Sequence, residues 1–217
     1  MIIAVDGPAA AGKGTIAKAL ADHYGLHFLD TGSLYRMVGL AVLRGGADPH
    51  DSAVAIASAR DLDPQLYRDE DLRSETVGAA ASVVASIPDV REALILYQRV
   101  FAAQRPGAVL DGRDIGTVVC PNADVKLFIT ASPEVRAARR LKELAAGGVA
   151  LPFDRVLADI RFRDEHDRTR LAAPLVAAAD ATVIDTSRLG IAEAIAEARR
   201  QVELSPSFQS MRRTQTE

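Results

Sequence analysis

The feature that most constrains this chain is a glycine-rich segment between its first predicted strand and its first predicted helix. The segment follows the apolar run 2–5 and opens the stretch 13–24, where apolar residues recur at helical spacing. In that context the pattern is typical of a P-loop. The backbone N–H groups and helix N-terminus of a P-loop bind phosphate, and its lysine contacts the β- and γ-phosphates. We therefore predict a nucleoside triphosphate site with the phosphate-binding residues Gly7, Pro8, Ala9, Ala10, Ala11, Gly12, Lys13, Gly14 and Thr15.

The loop departs from the strict P-loop pattern at one position. Ser or Thr ordinarily follows the lysine directly, whereas here Gly14 stands between Lys13 and Thr15. This variant resembles the loop of nucleoside monophosphate kinases. Thr15 is a candidate magnesium ligand, directly or through a water molecule, although the pattern supports its helix-starting role better.

Composition narrows the classes of function. Of the 217 residues, 48% are hydrophobic and 25% are charged, as in an ordinary globular chain of one domain. The formal net charge of -3 gives no reason to expect binding to polymeric nucleic acid. The single cysteine, Cys120, excludes an intramolecular disulfide. No long apolar run or cationic leader is visible, so we expect a cytoplasmic protein without a membrane partner, and the lack of an obvious sticky face favours a monomer.

Short apolar runs alternate with longer stretches at helical spacing along most of the chain. Alternating strands and helices indicate a parallel sheet covered by helices on both faces. The fold class that we expect is therefore α/β, a P-loop NTPase with a five-stranded parallel sheet. The further predicted strands are 27–29, 108–110, 125–129 and 181–184, and the further predicted helices include 90–104, 133–146, 153–166 and 191–203.

A single P-loop domain is expected, with two additions to its core. The core covers 1–46, 90–146 and 171–204, and residues 47–89 interrupt the alternation as an inserted helical subdomain. Gly147 and Gly148 separate two predicted helices as a hinge would, which predicts a short helical lid over 147–170. The polar tail 205–217 is expected to be disordered.

A P-loop by itself does not distinguish a switch, a motor and a kinase. A GTPase needs an Asn-Lys-x-Asp motif, and the only asparagine, Asn122, stands in Pro-Asn-Ala-Asp. A kinase needs a second anion site, and arginine suits one because its planar guanidinium group binds phosphate bidentately. The candidates for that site follow predicted strands or lie near the end of one helix: Arg36, Arg113, Arg163, Arg168 and Arg170.

The run from 163 to 170 admits two interpretations. Arg163 and Arg170 are seven residues apart and share a face if the helix continues, while Asp164 and Arg168 are spaced for an i, i+4 pair. By itself such a run is typical of a solvated, salt-bridged helix. With a P-loop and a glycine hinge in the same chain, we favour a lid that closes over the donor phosphates and excludes water.

Over nearly its whole length the chain resembles the bacterial cytidylate kinases. The block Asp111-Gly112-Arg113-Asp114-Ile115-Gly116-Thr117-Val118-Val119 carries this resemblance most specifically. The other matching segments are Asp6-Gly7-Pro8 with Gly12-Lys13-Gly14-Thr15, Leu29-Asp30-Thr31-Gly32 with Tyr35-Arg36, Val90-Arg91-Glu92-Ala93-Leu94, Arg163-Asp164, Asp167-Arg168-Thr169-Arg170, and Ala173-Pro174-Leu175.

The resemblance implies transfer of the ATP γ-phosphoryl group to CMP or dCMP with Mg²⁺, and an insertion that binds this acceptor. The chain departs from longer members of the family, which carry strands in this insertion, because its segment 63–76 leaves little room for strands.

The same resemblance assigns the acceptor-binding residues. Arg36, Arg113 and Arg170 would hold the phosphate, Arg163 and Asp167 would lie near the sugar, Ser82, Arg91 and Asp114 would face the cytosine, and Asp111 and Thr31 would lie beside the acceptor.

Phosphoryl transfer to such an acceptor needs charge neutralisation more than covalent help. The acceptor phosphate is already anionic at neutral pH, so no general base is expected, and Lys13, Arg113, Arg163 and Arg170 are the expected catalytic groups. Asp111 either holds a magnesium-bound water or caps a turn. Two other functions stay open: a P-loop kinase for UMP, shikimate or gluconate, and a protein that binds ATP for regulation without turnover.

Asp114 generates a prediction about the choice of base. Cytosine presents an amino donor where uracil presents a carbonyl acceptor, and a carboxylate accepts from the first and repels the second. We expect Asp114→Ala to weaken the use of CMP and to narrow the preference for CMP over UMP. Steady-state kinetics with both acceptors measure this, and an unchanged preference removes Asp114 from the base pocket.

Overall fold

The computed structural model describes residues 1–214, and these divide into two compact units. The P-loop unit consists of residues 1–28 and the chain from Ala102 onward, and the helical unit consists of Leu29–Phe101. Within the described residues, no helix combines the length and the apolar character needed to cross a membrane.

Strands and helices alternate along much of the described chain. The strands are β1 (Ile2–Asp6), β2 (His27–Asp30), β3 (Ala108–Gly112), β4 (Val125–Thr130) and β5 (Thr182–Asp185). The α-helices are α1 (Lys13–Tyr24), α2 (Thr31–Arg44), α3 (Ser52–Arg60), α4 (Glu75–Val84), α5 (Pro88–Ala102), α6 (Pro133–Ala146), α7 (Phe153–Thr169), α8 (Ile191–Leu204) and α9 (Pro206–Thr214). A 3₁₀ turn lies at Pro64–Leu66 and a single π-helical turn at Ile115–Val119.

The five strands form one sheet in the order β2-β3-β1-β4-β5. The pairings of β1 with β3, of β1 with β4 and of β4 with β5 are parallel. The predicted α/β fold with a five-stranded parallel sheet is confirmed, and each predicted strand is correct to within two residues. Because β1 is the central strand, the P-loop leaves the sheet at the middle of its carboxyl edge, where ligands of open α/β sheets bind.

Small and branched apolar side chains make the core of the P-loop unit. Ile3 and Ala4 are adjacent in β1, point to opposite faces of the sheet, and both have 0% exposure, so both faces of the central strand are buried. On the face that α1 and α8 cover, the packed residues include Ile3, Val5, Ile16, Leu20, Val109, Leu127, Ile129, Ala198 and Val202.

Gly7 allows the chain to leave β1 and enter the P-loop. Its φ is +151°, and a Cβ atom at this position would lie 2.0 Å from the carbonyl oxygen of Ile129 in β4. That distance is far below a van der Waals contact, so no side chain fits there. The P-loop therefore begins directly against the neighbouring strand.

The helical unit contains the predicted insertion and is wider than 47–89. Residues 47–89 form α3, the 3₁₀ turn and α4, so the predicted helical character is confirmed, and the unit also includes most of α2 and α5. The helices α2 and α4 pack closely, since a Cβ on Gly39 would lie 2.9 Å from the backbone nitrogen of Ala81. The small residues Gly39, Ala80 and Ala81 allow this close approach.

The prediction of a disordered tail is wrong for residues 206–214, which form α9. Ser205 accepts a hydrogen bond from the backbone nitrogen of Phe208 at 3.3 Å, so a serine caps the first turn. The ring of Phe208 contacts the ring of Tyr24 edge to face at 5.5 Å. An apolar anchor within a polar segment therefore orders the helix, and residues 215–217 lie outside the described residues.

Gly7 leads to a prediction about stability. We expect Gly7→Ala to lower the free energy of unfolding by about 2–4 kcal/mol, because the added methyl group collides with the backbone of β4. Gly190→Ala is the matched control, since Gly190 has an ordinary φ of -69° and its Cβ would lie 3.5 Å from Glu193 Oε2. Urea unfolding measures both variants, and equal losses of stability would contradict the steric explanation.

Candidate functional site

The P-loop carbonyl groups are held by side chains from other elements of the P-loop unit. Arg136 Nη1 donates to the carbonyl oxygen of Ala9 at 3.3 Å, and Arg139 Nη1 donates to that of Ala11 at 3.2 Å. Thr186 Oγ1 donates to the same Ala11 oxygen at 3.0 Å. The N–H and C=O groups of a trans peptide point in opposite directions, so these contacts turn the N–H groups of the same peptides away from α6. The loop is thus arranged to present N–H donors on one side.

Sequence patterns do not reveal the arginines of α6 as part of this site. Arg136 is 3% exposed and also donates from Nε to the carbonyl oxygen of Ala131 at 2.8 Å. Arg139 donates further to Thr186 Oγ1 at 3.0 Å and to its carbonyl oxygen at 2.8 Å. An arginine-rich stretch in 136–140 was the only available signal, and it does not tell which side of the helix meets the loop.

Lys13 forms an ion pair with Asp111, which is adjacent to Val5 across the β1–β3 pairing. The Lys13 Nζ to Asp111 Oδ1 distance is 3.4 Å, and the two side chains are 12% and 7% exposed. A Cβ on Gly14 would lie 3.0 Å from Asp111 Oδ2, so a side chain at position 14 would crowd this carboxylate. The structure therefore brings Asp111 to the start of α1, and Thr15 is an exposed residue in the first turn of that helix.

Asp167 of α7 is paired with Arg113, which follows β3. Arg113 Nε donates to Asp167 Oδ2 at 2.8 Å, and the side chains are 27% and 15% exposed. Burial raises the pKa of Asp167, but the charge and hydrogen bond of Arg113, with the charges of Arg170 and His166, hold that pKa below its ordinary value. This pair joins α7 to the loop after β3.

A second pair, Arg170 with Asp114, lies in the same unit. The Arg170 Nη2 to Asp114 Oδ1 distance is 3.7 Å, and the side chains are 6% and 7% exposed. Arg170 Nε also donates to the carbonyl oxygen of Ala173 at 2.6 Å. The condition under which Arg163 and Arg170 would share a helical face is not met, because α7 ends at Thr169 and Arg170 has extended backbone angles. Arg163 lies on α7 one turn before Asp167.

The predicted pair of Asp164 with Arg168 is also replaced by other partners. Arg136 binds Asp164 bidentately, with distances of 2.8 Å from Nη1 to Oδ1 and 2.5 Å from Nη2 to Oδ2. Arg168 pairs instead with Glu165 at 2.7 Å, and both of these side chains are exposed. The buried guanidinium group of Arg136 holds Asp164 because a carboxylate is the partner that a buried charge requires.

Asp6 was not recognised from the sequence as part of the site. It ends β1 and is 5% exposed. Its pKa is raised to about 6 by several causes together: burial raises it most, hydrogen bonds from the backbone of Gly116 and Ile115 lower it, and the charges of Asp114 and Asp111 raise it. Asp6 therefore lies between the P-loop and the turn that begins at Ile115. Because a carboxylate repels phosphate, its role is a different one.

The predicted site residues of the helical unit lie on three of its helices. Thr31 is buried at the start of α2, and Ser82 is half-buried in α4. Arg36 Nη1 donates to the carbonyl oxygen of Leu72 at 2.8 Å. The guanidinium carbon of Arg91 lies 5.5 Å from the ring centre of Tyr35, a cation–π distance, and its Nη1 donates to the carbonyl oxygen of Ala85 at 3.4 Å. The structure thus brings Arg91 to the residue that precedes Arg36.

Three features define a P-loop nucleotide-binding protein. They are a parallel sheet, a P-loop after its central strand, and a lysine–carboxylate pair at the start of the next helix. The family model described as cytidylate kinase matches residues 3–204. This chain belongs to the cytidylate kinase family, so the resemblance seen in its motifs is confirmed.

Similar proteins agree with the family over most of their lengths. A cytidylate kinase of Rhodopseudomonas palustris strain BisB5 is 60% identical over 191 residues, which is 88% of this chain and 90% of the relative. Cytidylate kinases of Rhodospirillum rubrum and Azorhizobium caulinodans are 57% and 58% identical, over 91% and 94% of this chain and 95% and 98% of their own.

Solved structures support the fold at much lower identity. A gluconokinase from Sinorhizobium meliloti has a TM-score of 0.51 and 16% identity, covering 96% of this chain and 95% of its own. An uncharacterized protein from Eubacterium ventriosum has a TM-score of 0.55 and 14% identity, covering 94% of this chain and 98% of its own. At such identities the likeness concerns the fold alone.

The contacts of Arg136 lead to a prediction about α6 and α7. We expect Arg136→Met to lower the free energy of unfolding by about 2–3 kcal/mol, because Asp164 and the P-loop carbonyl group lose their donor. Arg161→Met is the matched control, since Arg161 joins the same two helices through an exposed pair with Glu134 at 2.8 Å. The control should leave stability nearly unchanged, because exposed pairs contribute little. Thermal unfolding compares the two, and similar melting temperatures would contradict a role for Arg136 in holding the helices.

Proposed function

We propose that the protein transfers the γ-phosphoryl group of ATP to CMP or dCMP and releases ADP with CDP or dCDP. The proposal depends on two ion pairs in the unit that contains the P-loop, Arg113 with Asp167 and Arg170 with Asp114. Two guanidinium groups in this unit, in addition to the P-loop lysine, favour a second anion site over a protein that only binds ATP. Membership of the cytidylate kinase family supports the choice of acceptor.

The P-loop and Lys13 form the donor side of this proposal. The loop N–H groups, turned away from α6, would bind the triphosphate, and Lys13 would reach its β- and γ-phosphates. Asp111 keeps the Lys13 ammonium group at the start of α1 before ATP arrives. Because the lysine is already placed, little reorganisation accompanies binding.

The residues beside Lys13 fit Mg²⁺. Carboxylate and hydroxyl oxygens are the ligands that Mg²⁺ prefers, and it usually takes one or two carboxylates together with substrate phosphates. Asp111 and Thr15 would hold the ion, directly or through water. Mg²⁺ would neutralise the charge of the phosphates.

The acceptor side rests on arginine. Arg113 and Arg170 would hold the acceptor phosphate, Arg163 and Asp167 would lie near its sugar, and Asp114 would face the cytosine. In the helical unit, Arg36 would contact the phosphate, Ser82 and Arg91 the base, and Thr31 the acceptor. Lys13, Arg113, Arg163 and Arg170 would stabilise the transferring group by charge, so no side chain need take a proton.

The carboxylate partners of Arg113 and Arg170 have a purpose in this scheme. They hold both guanidinium groups in place while the acceptor is absent, so the orientation of these hydrogen-bond donors is set before the acceptor binds.

Three further expectations stay predictions from the sequence. They are a cytoplasmic location, a monomeric state and the lack of nucleic-acid or membrane partners.

ADP formation from ATP and magnesium tests the proposal, with CMP, dCMP, UMP, AMP, shikimate, gluconate or no acceptor compared side by side. We expect kcat/KM for CMP or dCMP to exceed that for UMP at least about tenfold. Lys13→Ala should reduce transfer at least about 100-fold while the circular dichroism spectrum is kept. Lys18→Ala, on the exposed side of the same helix, should be as active as the wild type.

Two outcomes would contradict the proposal. Faster ADP formation with AMP, shikimate or gluconate than with CMP would assign another acceptor. An active Lys13→Ala enzyme would remove Lys13 from the donor site.

A further inference from the structure

Asp6 occupies a place in the sheet that neither the donor nor the acceptor assignment uses. It is the last residue of β1, directly precedes the P-loop, and lies opposite Gly112 of β3 and Phe128 of β4. Its exposure is 5%. A buried carboxylate is costly unless its oxygens accept hydrogen bonds, so the partners of Asp6 indicate what it does.

Both carboxylate oxygens of Asp6 accept hydrogen bonds from the π-helical turn Ile115–Val119. Asp6 Oδ1 lies 2.8 Å from the backbone nitrogen of Ile115, and Oδ2 lies 2.7 Å from that of Gly116. The first N–H groups of a helical turn have no acceptor within the turn itself. Asp114 is the residue that precedes the turn, and its side chain makes no capping hydrogen bond. Asp6 therefore caps this turn from a different strand.

The turn lies close against the Asp6 carboxylate. A Cβ on Gly116 would lie 3.3 Å from Asp6 Oδ2 and 3.1 Å from Lys126 Cδ. Lys126 is itself held in place, because its side chain is 8% exposed and its Nζ pairs with Asp180 at 2.8 Å. The first residues of the turn are thus fixed on two sides.

The position of Asp114 depends on this arrangement. Because Asp6 supplies the cap, the carboxylate of Asp114 is directed to Arg170 rather than to the N–H groups that follow it. We propose that Asp6 is a positioning residue that sets acceptor-base selectivity, by fixing the turn that orients Asp114. This inference rests on the proposed function, since it concerns how that same site chooses its acceptor.

The variant Asp6→Asn distinguishes the effect of the side chain's shape from the effect of its two hydrogen-bond acceptor oxygens. Asp6→Asn keeps the size, but the amide has one carbonyl oxygen, and its NH₂ group would face one of the two N–H groups. The turn would shift, and the Asp114 carboxylate would move with it. The preference for CMP over UMP should change more than the affinity for ATP, because both hydrogen bonds to the Asp6 carboxylate come from the turn Ile115–Val119.

The test measures steady-state kinetics with CMP and UMP for the wild type, Asp6→Asn and Asp124→Asn. Asp124 is the matched control, because its Oδ2 accepts from the backbone nitrogen of Ile2 at 2.7 Å at the other end of β1. We expect Asp6→Asn to raise KM for CMP about tenfold and to lower the CMP-to-UMP ratio of kcat/KM about tenfold. KM for ATP should change less than about twofold, and Asp124→Asn should resemble the wild type.

Two further variants test whether Asp6 acts through Asp114. In the Asp114→Ala background, Asp6→Asn should have no further effect on the ratio, because effects that act through one group are not additive. Gly116→Ala leaves the residue at position 6 unchanged but displaces the turn, because the added Cβ would lie 3.1 Å from Lys126 Cδ and 3.3 Å from Asp6 Oδ2, and it should lower the ratio in the same direction. The ratio is measured on one preparation, so partial unfolding of a variant does not alter it.

The outcomes separate this inference from the proposed function. A wild-type enzyme that makes no CDP overturns the proposed function and this inference with it. An active wild type together with an unchanged ratio in Asp6→Asn and Gly116→Ala overturns this inference alone, and so does an additive effect of Asp6→Asn in the Asp114→Ala background.

Discussion

Negative charge buried at the carboxyl edge of the sheet has to be balanced, and the rest of the site depends on how this is done. Asp6 receives two backbone N–H groups, Asp111 receives the ammonium group of Lys13, and Asp114 receives the guanidinium group of Arg170. Each partner belongs to an element that the proposed chemistry uses. The interactions that satisfy the buried carboxylates are therefore the ones that would place the donor-side and acceptor-side groups of the proposed site.

The helices α6 and α7 extend the same charge balance to the P-loop and to the loop after β3. Arg136 contacts Ala9 in the P-loop and Asp164 in α7, while Asp167 in α7 pairs with Arg113. The predicted lid helix is thus held at two points in this structure. Movement of α7 would require both of these pairs to part.

Local patterns in the sequence predicted much of this protein. The P-loop could be recognised because a strand, a glycine-rich turn and a helix follow one another within a few residues. The five strands followed from short apolar runs, and the helical character of 47–89 followed from the small apolar helix-forming residues of that segment, both of which describe neighbours along the chain. The family followed from contiguous blocks such as the one from Asp111 to Val119, and the family model confirms it.

The amino-acid sequence by itself determined the class of fold, the place of the triphosphate loop and the family, because contiguous segments encode all three. Only the tertiary structure decided that Asp164 binds Arg136, 28 residues away, and that Asp6 caps a turn 109 residues away. It also decided that Arg170 leaves the helix and that Phe208 anchors a tail helix. Periodicity and spacing describe one segment at a time, whereas the partner of a buried charge or an apolar ring is chosen when distant segments pack together.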